Sequence, residues 1–247
     1  MLFRSGRDLV GIAEQRAYYD RRWSAAPEEL DEHQLARLAA IRPALTRAER
    51  RRARPWQILE VGCGTGWLAA ELAAYGRVTG LDLSDAAIAV ARERYPEVEF
   101  RAFDASAAPL PGGNDLVVAS EVLEHVEQQA AFVERLVDAV APGGFVLLTT
   151  PNGLVESRWR RHPGCDPQPV ERWISPRELG RLLERRCRVE RLTTFFLDFD
   201  RAGVYGLVHD PRLRWAAGRL GLLPRTEHLL GRLGLGLYML ALARRTR

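Results

Sequence analysis

A chain of 247 residues with 47% hydrophobic content is long enough to bury a sizeable core, as one globular domain with embellishments or one domain plus a small cap. Its 36 basic residues, all arginine, outweigh 32 acidic ones to leave a net charge of +4. A bias that uniform describes the whole sequence better than a chosen nucleic-acid surface. The runs RAERRRAR (47–54) and RWRR (158–161) stay as candidate anion contacts, and a nucleic-acid partner is not expected.

Cys63, Cys165 and Cys187 are odd in number and far apart, which fits a reducing, cytoplasmic setting rather than a disulfide framework. The opening MLFRSGRDLVGIAEQ has no apolar core of signal-peptide length, and LGLGLYMLALA is too short to span a bilayer, so no transmembrane segment is expected.

Apolar residues at helical spacing predict two helices between 8 and 50, separated near Pro27. From Trp56 short apolar runs alternate with helical stretches: strand 56–61, helix 67–74, strand 77–82, helix 85–94 and strand 98–103. Strand 115–120, helix 128–140, strand 144–150, helix 176–185 and strand 189–196 follow. An irregular helical stretch over 210–233 and a last strand over 236–243 close the series. Such alternation predicts an α/β, doubly wound, Rossmann-like and mainly parallel sheet with helices on both faces. Ligands are then expected at the carboxyl ends of its strands. The expected layout is an N-terminal helical cap over 1–54 and an α/β domain over 55–247. Within the latter, 151–175 reads as a lid-like loop and 197–235 as an insertion before the last strand. The insertion is expected to pack beside that strand, the other reading being an amphipathic contact with a membrane surface.

The segment EVGCGTG follows one predicted strand and opens a predicted helix, the context a glycine motif needs to carry meaning. Gly62, Gly64 and Gly66 permit a tight turn and close approach of a ligand. A carboxylate at Glu60 would repel a pyrophosphate drawn to the helix N-terminus, and Trp67 stands where a dinucleotide fingerprint wants its third glycine. Asp82 ends the next strand, where an acid can accept both hydroxyls of a ribose. An adenosine carrying a cationic group satisfies both acids.

Here the sequence resembles the class I S-adenosylmethionine-dependent methyltransferases, in particular the small-molecule members that methylate quinones and natural products. ILEVGCGTG, VTGLDLS, FRAFDA, DLVVASEVLEHV and FVLLTTPN carry the resemblance over roughly residues 56–152, and more loosely over 175–244. It implies a seven-stranded sheet whose last strand is antiparallel, and S-adenosyl-L-methionine as the cofactor. Residue by residue it implies that Glu60, Gly62, Gly64 and Gly66 line the methionine and ribose parts. Asp82 would bind the ribose hydroxyls, Leu83 would pack on the adenine, and Asp104 would accept from its exocyclic amine beside Ala105. Glu121 is expected against the cofactor as well. Tyr18, Tyr19 and Trp23 on the first helix are weighed between closing over the cofactor and ordinary helix packing.

Chemistry is expected at EVLEHV, residues 121–126, which follows the fourth strand. A helical turn there brings Glu121, Glu124 and His125 together. His125 has the intrinsic pKa of a general base, and Glu124 is expected to orient its ring and support the imidazolium. The same three residues are oxygen and nitrogen ligands able to hold a divalent ion. Similar families draw a further histidine from later in the chain, but Val170 stands at about that place here, so no metal is expected. His162, Asp166 or Glu171 would have to complete such a site. The expected reaction is methyl transfer to a hydroxyl on a small-molecule acceptor. Two other readings stay open: a methyltransferase acting on an RNA 3′ end, and a non-catalytic cofactor-binding module.

Overall fold

The computed structural model describes residues 11–23, 29–51, 53, 55–156, 168–196, 219 and 234–246. Most of the predicted insertion, including all of the helical stretch 210–233 except Arg219, lies outside them, as do His162, Asp166, Trp159 and Cys165. Two helices come first, α1 (Ile12–Trp23) and α2 (Glu32–Glu49). The start of α2 is dictated by a reciprocal cap: Oδ1 of Asp31 accepts from the Gln34 amide at 2.7 Å, and Oε1 of Gln34 accepts from the Asp31 amide at 2.9 Å. This cap places the helix start later than apolar spacing alone suggests.

The α/β unit then runs β1 (Trp56–Val61), α3 (Trp67–Leu72), β2 (Gly76–Asp82), α4 (Asp85–Arg94), β3 (Glu99–Ala102), β4 (Asn114–Ser120), α5 (Gln129–Ala139) and β5 (Val140–Pro151). A single turn α6 (Gly153–Glu156) precedes α7 (Pro176–Glu184), β6 (Cys187–Phe195) and β7 (Tyr238–Arg245). Seven strands form one sheet in the order β3-β2-β1-β4-β5-β7-β6. The five strands from β3 to β5 are parallel, and β7 is antiparallel to both β5 and β6. The expected doubly wound sheet with an antiparallel last strand is what the chain forms.

Side chains alternate across this sheet and feed two cores. On one face Ile58, Val118, Leu147, Leu240 and Leu242 pack with Ile41 and Leu45 of α2, Leu68 and Leu72 of α3, and Ile88 of α4. On the other, Leu59, Val117, Val146, Leu148 and Ala241 pack with Phe132 and Leu136 of α5 and with Leu179 and Leu183 of α7. The second helix is therefore part of the main core. By contrast, α1 buries none of its residues. It is held by polar contacts to the start of α4: Arg16 pairs with Asp85 at 2.9 Å, and Oδ1 of Asp20 accepts from Ser84 Oγ at 2.6 Å and from the Ala86 amide at 3.2 Å.

Strand order reverses between β1 and β4, because the chain first winds outward through β2 and β3 and then returns to the other side of β1. That reversal opens a crevice at the carboxyl ends of β1 and β4. Cys63 and Cys187 are free and buried. Among the described residues, no helix is long and apolar enough to cross a membrane.

Candidate active site

A cavity of about 460 Å³ occupies the crevice, walled by the ends of β1, β2 and β4 and closed over by α1. Its floor is the turn after β1. Gly62, Gly64 and Gly66 all take left-handed backbone conformations, with φ of 75°, 52° and 86°. At Gly62 a Cβ atom would lie 2.2 Å from Cγ2 of Val122, so the β1 and β4 loops touch only because that side chain is absent. The amides of Gly62 and Cys63 both donate to the carbonyl of Leu81, at 2.7 and 3.0 Å. The turn is thus fastened to the end of β2.

Asp82 completes that fastening. Its Oδ2 accepts from the Gly64 amide at 2.8 Å and its Oδ1 from the Ser84 amide at 2.9 Å. Burial pushes its carboxyl up, against the pull of these amides. Ser84, not Asp82, caps α4, its Oγ accepting from the Ala87 amide at 3.0 Å. The Asp82 carboxylate keeps acceptor capacity for a ligand hydroxyl. Glu60 is almost fully buried, and its Oε2 has no hydrogen-bond partner among the described residues. Burial drives its carboxyl well above the ordinary range, and the Asp82 charge adds to the push.

Leu83, Asp104 and Ala105 line the same end of the cavity. Asp104 also shapes its own turn, Oδ1 accepting from the Ser106 amide at 2.8 Å and the Ala107 amide at 3.2 Å. From α1, Trp23 lies over the turn, 3.6 Å from where a Cβ on Gly64 would stand. Tyr19 lies edge-on to the His125 ring at 6.0 Å and donates to Oε1 of Gln168 at 3.2 Å. Tyr18 packs edge-on against Tyr19 and does not line the cavity. One helix therefore covers both ends.

At the opposite end, Glu121 has a φ of 57°, a left-handed conformation uncommon for a residue with a Cβ. Its amide donates to the Thr149 carbonyl at 3.0 Å, and Thr149 Oγ1 donates to its Oε1 at 2.9 Å. Leu123–His125 forms a single 3₁₀ turn, which brings Glu124 and His125 to the cavity wall. Burial pushes both glutamate carboxyls up; the Glu124 charge adds to the push on Glu121, and that of Arg37 opposes both.

The ring of His125 is oriented differently from expectation. Its Nδ1 lies 2.9 Å from the carbonyl oxygen of Val170, which can only accept, so Nδ1 carries the proton. Glu124 Oε1 stands on the other side, 3.5 Å from Nε2. The backbone at Val170 thus orients the ring, and the carboxylate faces the nitrogen that takes up a proton. No sequence signal marks this, because any residue type at 170 supplies the same carbonyl.

Composition and spacing also miss Arg37. It reaches in from α2, with Nη1 3.9 Å from Glu121 Oε2 and its guanidinium over the rings of Trp67 and Tyr238 at 6.0 and 5.7 Å. Its Nε is buried without a hydrogen-bond partner among the described residues. Among the described residues no cluster of three or more His, Cys, Asp or Glu side chains is arranged to hold a metal ion. Of the three residues considered for completing such a site, Glu171 lines the cavity, and His162 and Asp166 lie outside the described residues.

Residues 31–186 match the family model described as a methyltransferase domain. A probable S-adenosylmethionine-dependent methyltransferase of Mycolicibacterium smegmatis is 40% identical over 51% of this chain and 49% of its own length. Another with that name, from Mycobacterium tuberculosis, is 33% identical over 66% of this chain and 56% of its own length. A ubiquinone biosynthesis O-methyltransferase of Methylobacterium is 34% identical over 66% of this chain and 67% of its own length. The chain spans about half the length of the two mycobacterial relatives it matches. In architecture it is similar to the N-methyltransferase NodS of Bradyrhizobium japonicum in complex with S-adenosylhomocysteine, with a TM-score of 0.62 and 18% identity over 94% of this chain and 99% of that one. With its glycine turn, its strand-end acids and a family match over well more than half its length, this chain belongs to the methyltransferase-domain family.

Proposed function

We propose that this chain transfers a methyl group from S-adenosyl-L-methionine to a hydroxyl oxygen on a small molecule. The observation that carries the reading is the buried, unpartnered Oε2 of Glu60 beside the left-handed glycine turn and Asp82, in a cavity that also holds His125. The amino-acid end of the cofactor is a zwitterion, and Glu60 and Arg37 on the wall match it. Glu60 takes the ammonium and Arg37 the carboxylate. Asp82 takes the ribose hydroxyls through its remaining lone pairs, while Leu83, Asp104 and Ala105 hold the adenine. The raised Glu60 carboxyl suits this role, because an arriving cation favours its ionised form.

When bound, the cofactor supplies an electrophilic methyl group. The protein's share is to exclude water and align the acceptor, which Tyr19 and Trp23 of α1 assist by covering the cavity. A hydroxyl must also lose its proton. His125 accepts it at Nε2, the nitrogen left unprotonated by the Val170 carbonyl. Helix α1 serves in this reading as a cap, and the buried free thiols Cys63 and Cys187 accord with a cytoplasmic setting. The names of ubiquinone O-methyltransferase relatives favour oxygen as the acceptor atom.

The test is incubation with methyl-labelled S-adenosylmethionine and a catechol probe, with an amine probe and an RNA oligonucleotide bearing a free 3′ end in parallel. Label on catechol oxygen is the expected result. Label on the amine or the RNA alone would overturn the acceptor assignment, and no binding of S-adenosylhomocysteine would overturn the cofactor.

A further inference from the structure

Both Glu121 and Glu124 of the candidate site receive a hydroxyl hydrogen bond from the end of β5. Thr149 Oγ1 donates to Glu121, and Thr150 Oγ1 donates to Oε2 of Glu124 at 2.9 Å. Thr150 is itself buried, at 1% exposure, and Glu124 at 2%. A threonine hydroxyl has one hydrogen, so donation to Glu124 commits it. One carboxylate oxygen is thereby tethered, and the other, Oε1, is turned toward Nε2 of His125 at 3.5 Å, an ion-pair distance rather than a hydrogen bond. Nδ1 of the ring is held by Val170. Imidazole and carboxylate are therefore both fixed from behind, by a carbonyl and a hydroxyl, with their proton-accepting atoms facing each other.

We propose that Thr150 is a positioning residue, whose hydroxyl fixes the Glu124 carboxylate against Nε2 of His125 so that the two side chains hold one proton as a pair. This rests on the reading in which His125 accepts the proton of the acceptor hydroxyl. The proton that leaves the hydroxyl lands on Nε2, and the positive ring then faces an ionised carboxylate that Glu124's own backbone and Thr150 both favour. Other groups facing Glu124 are Tyr19 from α1, Arg37 from α2, Glu156 from α6, and Glu121 and His125 from its own segment. Arg37 favours the ionised carboxylate, and Glu156 and Glu121 oppose it. Thr150 donates a hydrogen bond to the Glu124 carboxylate.

The experiment is an NMR titration of the His125 ring, its resonance assigned by loss in His125→Ala, in the ligand-free protein and again with saturating S-adenosylhomocysteine. In Thr150→Val the ionised form of Glu124 loses a hydrogen bond, so the imidazolium loses its partner and the ring midpoint should fall by about one pH unit. Thr150→Ser keeps the hydroxyl and should stay within about 0.3 unit of the wild type. Affinity for S-adenosylhomocysteine should change less than about threefold in either variant, since Thr150 lies behind the carboxylate. An unchanged midpoint in Thr150→Val, or an equal fall in Thr150→Ser, overturns the proposal. If S-adenosylhomocysteine fails to bind the wild type, the cofactor reading falls, while the ligand-free titration still decides the role of Thr150.

Discussion

The carbonyl oxygen of Val170 accepts the Nδ1 proton of His125 at 2.9 Å, across 45 residues of sequence. This contact selects the tautomer whose lone pair is on Nε2, inside the cavity and beside Glu124. A neutral imidazole so held can take a proton without rearranging.

His125→Ala should therefore lose at least about 100-fold in turnover while affinity for S-adenosylhomocysteine stays near normal. Steady-state kinetics with the catechol probe, together with calorimetry, separate the two effects. The ascending limb of the wild-type pH profile should vanish in the variant. Near-normal turnover would make the histidine structural and leave alignment alone to drive transfer.

Asp82→Ala should weaken S-adenosylhomocysteine binding by about 10-fold to 100-fold, because a hydrogen bond to a charged group is worth roughly 1.5 to 3 kcal/mol. The same change removes the acceptor for the Gly64 and Ser84 amides, so thermal unfolding must be measured alongside. Asp82→Asn keeps the shape and one acceptor oxygen, and should fall between the wild type and alanine. Equal affinity in all three proteins would remove Asp82 from the binding site.

Because burial and the Asp82 charge raise the Glu60 carboxyl, binding a cation beside it should favour release of a proton. Calorimetry of S-adenosylhomocysteine in buffers of different ionisation enthalpy reads that release directly, and affinity should rise with pH. Glu60→Gln should bind more weakly and lose most of the buffer dependence. A buffer-independent enthalpy in the wild type would place the ammonium elsewhere.

The ligand-free fold should be less stable at pH 8 than at pH 5. Glu60, Asp82, Glu121 and Glu124 all have carboxyls raised by burial, so the folded chain binds more protons than the unfolded one. Stability from these groups is then greatest below the unfolded carboxylate value, about 4.3, and declines as pH climbs from there toward the raised folded values. Glu121→Gln should flatten the decline, and a saturating cofactor product should shrink it by supplying a cation to Glu60. A melting temperature that rises from pH 5 to pH 8 in the ligand-free wild type would contradict the burial of these acids.

Much of this was legible in the chain itself, for a physical reason that particular segments show. Strand period, helix period and the glycine spacing at 62, 64 and 66 depend on residues close in sequence, so 56–61 and 85–94 are read to the residue. Glu60 and Asp82 follow from the same logic, since a strand-end acid is positioned by its own strand. Tertiary structure alone brought Thr149 and Thr150 to Glu121 and Glu124, separations of 28 and 26 residues, and Asp20 to Ser84, a separation of 64. Arg37 entered the cavity because α2 packs on the sheet, which no local pattern near residue 37 announces. Those contacts depend on how helices and strand ends pack across the sheet, and only the assembled fold decides which side chain faces an unpaired charge and which merely faces solvent.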